Sequence, residues 1–74
     1  MTQRTTTRAS VSVPADLQSA RAKLVYLYLA VAGTATADDV RDALALEKGT
    51  VLSITGALRE QGHVRREDGG YRVA

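Results

Sequence analysis

The chain has 74 residues, few enough for one small domain, and it contains no cysteine and a single histidine. Disulfide bonds, thiolate metal sites, cysteine nucleophiles and histidine clusters are therefore excluded. The formal net charge of +2 is unevenly distributed, because residues 1–10 and the C-terminal segment are basic whereas residues 38–42 are acidic. Basic ends are typical of a protein that binds a polyanion, although an ordinary solvated surface explains this charge equally well.

The sequence offers no machinery for catalysis or for membrane insertion. A nucleophile, a base and an orienting group cannot be assembled from it, so we expect no enzymatic activity, no cofactor and no bound metal. No stretch resembles a signal peptide or a membrane span, which predicts a cytoplasmic location and no membrane partner.

The N-terminal residues differ in character from the rest of the chain. Residues 1–13 show no apolar periodicity, and we expect a flexible basic arm there with Arg4 and Arg8 as its cations. Val11 and Val13 alternate with serine, which leaves a short strand open as an alternative. Residues 14–74 are predicted to form the folded domain.

The first helix is predicted over residues 15–32. Pro14 suits the start of a helix because its missing N–H is not needed there, and Gly33 suits the position just beyond the end. Apolar residues recur between these points at three- and four-residue spacing, as expected for a buried stripe. The residues of this predicted stripe are Leu17, Ala20, Leu24, Leu27, Tyr28 and Val31.

The second half of this helix is apolar on all sides. Val25, Tyr26 and Leu29 lie off the predicted stripe, so the helix lacks the polar face that a helix on the surface of a small monomer needs. We expect these residues to form the interface of a homodimer, because few other elements are available to cover them. The alternative is a helix enclosed on two sides by its own domain.

A short second helix is predicted over residues 37–45. Thr36 and Asp39 have the spacing of a capping box, and acids in a first turn interact favourably with the helix dipole. This explains Asp38, Asp39 and Asp42 structurally, since no partner groups for catalysis or metal binding accompany them. Leu46 is predicted to close the following turn.

A third helix is predicted from about 48 to 61, with Gly62 just beyond its end. It contains Gly49 and Gly56, although each glycine within a helix costs about 1 kcal/mol relative to alanine. Together with Ser53, these glycines fall on the side opposite the apolar residues of the helix. Such a face permits close approach of a tightly fitting surface, which is either DNA or another helix.

The segment 63–73 is predicted to form a β-hairpin around the turn Asp68-Gly69-Gly70. Val64, with Tyr71 or Val73, can face inward. Because successive strand residues point to opposite sides, we expect Arg65 and Arg72 to project outward as one basic strip. Arg66 is expected near the edge of the domain.

This order of elements resembles the winged helix-turn-helix core of MarR-, ArsR- and TrmB-type transcriptional regulators. The resemblance covers about residues 17–73 and is most specific over 36–73. It predicts a mainly α fold with a small β hairpin, made of three helices and a two-stranded wing. The positions that carry it are Thr36, Asp38, Asp39, Val40, Leu44, Leu46, Lys48, Thr50, Val51, Leu58, Gly62, Val64, Arg65 and Arg66.

The resemblance implies a transcriptional regulator that binds double-stranded DNA, with the third helix in the major groove and the hairpin on the DNA backbone. The implied DNA-binding residues, with those of the basic arm, are Lys48, Gly49, Thr50, Ser53, Gly56, Arg65, Arg72, Arg4 and Arg8. The alternative is a protein–protein interaction module of the same fold in a transcription or replication assembly. The sparse basic face of the third helix and the acid Glu60 favour that alternative.

Overall fold

The computed structural model describes residues 13–17 and 19–74, which form three helices and one three-stranded antiparallel sheet. The mainly helical class agrees with the sequence prediction, but the sheet has one strand more than the predicted two. The elements are, in chain order, α1 Ala20–Ala32, β1 Thr34–Ala35, α2 Ala37–Leu44, α3 Lys48–Glu60, β2 Val64–Glu67 and β3 Gly70–Val73. The sheet has the strand order β1-β3-β2.

The additional strand β1 is short and joins the hairpin to the helices. It pairs with β3 so that Thr34 lies opposite Arg72 and Ala35 lies opposite Tyr71. A Cβ atom on Gly70 would lie 2.9 Å from the backbone oxygen of Ala35, closer than such contacts occur. Glycine is therefore required at this position, because it lets β3 approach the end of β1.

Helix α1 begins later than the sequence predicts. Ser19 is its N-cap, with a side chain that accepts a hydrogen bond from the Ala22 N–H at 3.3 Å. Before it, the Leu17 N–H donates to the Pro14 carbonyl at 3.1 Å and closes a turn. Pro14 therefore belongs to a turn that precedes the helix, and the predicted start at residue 15 is wrong.

The side of α1 that faces the core is also different from the prediction. Val25 and Leu29 are fully buried within the single chain, whereas Leu24 and Val31 are 45% and 78% exposed. Tyr26 is half-buried and packs against the core. The prediction that Val25 and Leu29 form a subunit interface is therefore wrong, since neither is accessible to a partner. Both sides of α1 are apolar, so either could have been chosen as the buried one.

Helix α2 is capped as predicted. The Asp39 N–H donates to Thr36 Oγ1 and the Thr36 N–H donates to Asp39 Oδ2, each at 3.0 Å, which completes a capping box. The helix ends at Leu44, and Ala45 takes the left-handed conformation. The Leu46 N–H then donates to the Arg41 carbonyl, so the turn before α3 closes where expected.

Helix α3 packs against the core through Val51, Thr55 and Leu58, all of which are buried. The Thr55 hydroxyl donates to the Val51 and Leu52 carbonyls, at 3.0 and 3.2 Å, and is therefore satisfied within its own helix. Gly62 follows the helix with a φ of +82°, in the left-handed region, as predicted.

The hairpin β2–β3 packs against α1 and α3. Asp68 and Gly69 both have positive φ and form a two-residue turn, so Gly70 belongs to the strand rather than to the turn. Val64 and Tyr71 are buried, which confirms that they face inward. The hairpin is continued by a hydrogen bond from the Ala74 N–H to the His63 carbonyl.

Of the predicted N-terminal arm, residues 1–12 lie outside the described residues, and with them Arg4, Arg8 and Val11. Val13 is described and is not part of a strand. It packs against the hydrophobic core beside the buried Leu17.

Replacing Thr55 tests how the buried hydroxyl contributes to stability. Thr55→Val should leave the free energy of unfolding unchanged or raise it, because both carbonyls that accept from the hydroxyl already belong to the helical ladder. Thr55→Ser should lower it by about 1 kcal/mol, because it deletes a buried methyl group. Urea unfolding of the two variants and wild type makes the comparison. A larger loss in Thr55→Val than in Thr55→Ser would contradict this account.

Candidate functional site

The outward side of α3 carries little side-chain bulk. Gly49 and Ser53 are exposed and Gly56 is half-buried, while Leu52 beside them is 45% exposed. A Cβ atom on Gly49 or Gly56 would meet no other atom within 4 Å. No contact within the described chain therefore requires these glycines, and a contact with another helix of the same domain does not explain them.

This side of α3 forms one wall of an open groove, and strand β2 forms the other. The groove has a volume of about 760 Å³. Ser53, Gly56 and Leu52 belong to its α3 wall. Three arginines border it, one near the end of α3 and two on β2: Arg59, Arg65 and Arg66. Glu60 also lines the groove, so a wall of low bulk is bordered by three positive charges and one negative charge.

The exposed face of the hairpin carries two arginines side by side. Arg65 and Arg72 are cross-strand partners, and both are exposed, which confirms their predicted outward orientation. Glu67 lies two residues along β2, on the same face. Its carboxylate is 3.9 Å from the Arg65 guanidinium and 3.5 Å from that of Arg72. Like charges placed directly opposite repel, and Glu67 offsets this repulsion.

Arg66 packs on the aromatic ring of the neighbouring strand. Its guanidinium carbon lies 5.4 Å from the centre of the Tyr71 ring, its cross-strand partner, in a cation–π arrangement. Arg66 and Leu52 also line a second depression, which extends to Lys48 and Asp38 at the start of α3 and α2. Arg66 is therefore a residue of the groove. Sequence reasoning did not include it among the DNA-binding residues because it did not pair Arg66 with Tyr71.

Lys48, the first residue of α3, is held by an acid of α2. Its Nζ lies 3.0 Å from Asp38 Oδ1, and Arg41 approaches the same oxygen at 3.5 Å. The hydrogen bond and the positive charge of Lys48, and then the charge of Arg41, hold the pKa of Asp38 below its ordinary value of 3.8. Both members of the Lys48–Asp38 pair are about half exposed, so it contributes little to stability.

The sequence prediction treated these residues separately. Asp38 was explained by the helix dipole and Lys48 by phosphate binding. The turn between α2 and α3 is short, so the first turn of α2 lies close to the first turn of α3. The shortness of this turn is the feature of the sequence that could have indicated the ion pair.

His63 connects the end of α3 to the segment before α1. Its Nε2 lies 2.9 and 3.1 Å from the two carboxylate oxygens of Asp16. The Tyr26 ring meets the imidazole edge-on, with 6.4 Å between ring centres. No sequence pattern links two residues so far apart in the chain. The pair anchors the turn around Asp16 beside α3.

The structure brings some of the predicted DNA-binding residues together and not others. Those on α3 share one helix, with Thr50 half-buried at the margin of the outward face. Arg65 lines the groove, whereas Arg72 lies on the exposed hairpin face next to it. Arg4 and Arg8 lie outside the described residues.

Comparison of the chain with protein-family models, with curated proteins and with solved structures found no match. Among residues 13–17 and 19–74, no group of three or more acidic or histidine residues is arranged to hold a metal ion. None of the described helices has the length and apolar character needed to cross a membrane.

The ion pair at the start of α3 predicts an acid titration that depends on Lys48. In wild type, Asp38 should titrate below 3.8, and in Lys48→Met its midpoint should rise toward that value, because the main source of the shift is removed. The folded pKa is the lowered one, so the pair stabilises the fold above about pH 4 and this contribution is lost as the pH falls. NMR of the carboxyl carbons measures the midpoint. Lys23→Met is the control, and an equal rise in both variants would contradict the assignment.

Proposed function

We propose that this chain is a small DNA-binding transcriptional regulator of the winged helix-turn-helix class. In this reading α2, its turn and α3 are the helix-turn-helix, and the β2–β3 hairpin is the wing. The observation that carries the proposal is the groove described above, in which a helix face of low bulk is bordered by Arg59, Arg65 and Arg66.

Helix α3 would enter the major groove of the duplex with its outward side. Gly49, Ser53 and Gly56 let the helix backbone come close to the bases, because no bulky side chain separates them. Between Lys48 and Leu58, α3 contains no arginine, asparagine or glutamine, the residues best suited to distinguish bases. We therefore propose weak sequence specificity, with DNA shape and flexibility contributing to the choice of site.

The arginines of the wing would contact phosphates. Arg65 and Arg72 project together from its exposed face, and Arg66 is held over Tyr71 at the groove. Lys48 lies at the N-terminal end of α3, where the helix dipole also favours an anion. Such contacts depend little on base sequence, so they supply affinity and position rather than specificity.

Acidic residues pair with three of these cations, Lys48, Arg65 and Arg72, in the free protein. Asp38 holds Lys48 at 3.0 Å, and Glu67 lies between Arg65 and Arg72. Binding of DNA would exchange these carboxylates for phosphates, so part of the phosphate attraction is offset by the lost internal pairs. This exchange favours modest affinity.

A protein–protein interaction module is the second candidate, and the same acids favour it. Asp38, Glu60 and Glu67 offset part of the positive charge around the groove, and Leu52 adds an exposed apolar side chain. A surface of mixed charge with an apolar centre suits a protein partner better than a polyanion. Binding of generic duplex DNA at low salt separates the two candidates.

Removing single wing arginines tests the phosphate contacts. Arg65→Ala and Arg72→Ala should weaken binding to all duplex sequences alike, and each should reduce the slope of log affinity against log salt concentration by about 0.9. Arg21→Ala, which removes the same charge from α1, is the matched control and should keep the wild-type slope. Fluorescence anisotropy over a range of salt concentrations gives the slopes.

Glu67→Gln should have the opposite effect on affinity, because it frees both wing arginines without altering the fold of the strand. If the slope of log affinity against log salt concentration is the same in wild type and in both arginine variants, the hairpin does not contact DNA phosphates. The protein-interaction candidate would then be preferred.

Adding bulk at Gly56 tests whether α3 enters the DNA. Gly56→Leu should weaken binding by about tenfold or more, because its side chain would project into the groove and keep the helix from the bases. Gly56→Ala is the matched control: a Cβ there meets open space, so it should stabilise the helix by about 1 kcal/mol and retain binding. Unchanged DNA affinity in Gly56→Leu would show that this side of α3 does not face the duplex.

A further inference from the structure

The outward side of α1 carries a stripe of large apolar side chains. Leu24 and Val31 are 45% and 78% exposed, and Leu27, which lies between them, is half-buried. Their spacing of three and four residues puts all three on one side of the helix, away from the buried Val25 and Leu29. We call Leu24, Leu27 and Val31 the outer stripe.

We propose that the outer stripe is the interface of a homodimer, in which α1 of a second copy packs antiparallel against it. A three-then-four spacing is the pattern that pairs helices in coiled coils. In the antiparallel arrangement Leu27 lies at the two-fold axis against Leu27 of the partner subunit, and Leu24 packs against the partner's Val31. The interface is therefore self-complementary, as a two-fold dimer requires.

The charges of α1 favour a second copy in this orientation. The helix contains Arg21 and Lys23 near its start, no acid anywhere, and no basic residue in its last turn. Its positive charges thus lie at the positive end of the helix dipole, which is unfavourable in the isolated helix. Antiparallel packing brings Lys23 beside the C-terminal half of the partner helix, where the partial charge is negative. Parallel packing would bring like charges together.

The N-terminal segment is a poorer candidate to cover the stripe. Met1 and Val11 are the large apolar residues of positions 1–12, and the remainder is mostly threonine, serine and charged or polar residues. A second copy, by contrast, offers three apolar side chains at matching spacing.

The dimer should be reversible. Helix α1 has 13 residues and is about 20 Å long, so two such helices bury less than the roughly 1,200–2,000 Å² typical of stable complexes. We therefore expect the wild type to pass from monomer to dimer as its concentration is raised through the micromolar range.

Sedimentation equilibrium without DNA tests the interface. Leu24→Lys with Val31→Lys should raise the dissociation constant of the dimer by about tenfold or more, with an unchanged circular dichroism spectrum, because neither side chain belongs to the buried core. Leu52→Lys on α3 is the matched control: Leu52 is also 45% exposed, and its replacement should leave the dimer intact. A wild type that stays monomeric at millimolar concentration, or dissociation caused by Leu52→Lys alone, would overturn the proposal.

A second pair of variants tests the orientation. Lys23 and Ala30 are two helical turns apart, so an antiparallel pair places Lys23 next to the partner's Ala30. Ala30→Glu should then tighten the dimer and Ala30→Lys should weaken it. Equal or reversed effects would exclude the antiparallel arrangement. Since these measurements contain no DNA, their failure would leave the proposed function to its own tests.

Discussion

The burial of Val25 and Leu29 at the centre of the domain is the constraint on which the other elements depend. Both are completely enclosed, and full burial of such a side chain contributes about 1.5–3 kcal/mol relative to exposure. With no tryptophan or phenylalanine in the chain, aliphatic residues and Tyr71 fill the core, and α1 packs against α2, α3, β1 and β3 to do so. Val51 and Leu58 of α3 are buried in this core. The opposite side of α3, which carries glycine and serine, therefore faces outward.

The parts of the fold that could be predicted are those governed by local chemistry. The capping box at Thr36, the glycine after α3 and the inward Val64 each depend on neighbouring residues, so a short stretch of sequence was sufficient. The buried side of α1 was not predictable in this way. Its two sides are similarly apolar, and only packing against the other elements decides between Leu24 and Val25. Strand β1 was missed because two residues contain no periodicity.

In the candidate site too, features that depend on neighbouring residues were predictable, and features that depend on contacts between elements were not. The outward orientation of Arg65 and Arg72 followed from strand alternation and was confirmed. The ion pair between Lys48 and Asp38 and the hydrogen bond between His63 and Asp16 join residues from different elements, so no local pattern indicated them. The first pair matters for the proposed function, because Lys48, which the resemblance assigns to DNA binding, is already paired with a carboxylate in the folded chain.

Gly70 has a consequence for how this domain can evolve. Its missing Cβ fixes the pairing of β3 with the Ala35 end of β1, and a shift of register there would bring a side chain against the Ala35 backbone. The turn at Asp68 and Gly69 lies on the far side of Gly70 from that contact, at an exposed tip. Residues inserted into the turn would lengthen the hairpin while Gly70 stayed in place. The length of the hairpin can therefore change during evolution of this sequence without any compensating change in the helices.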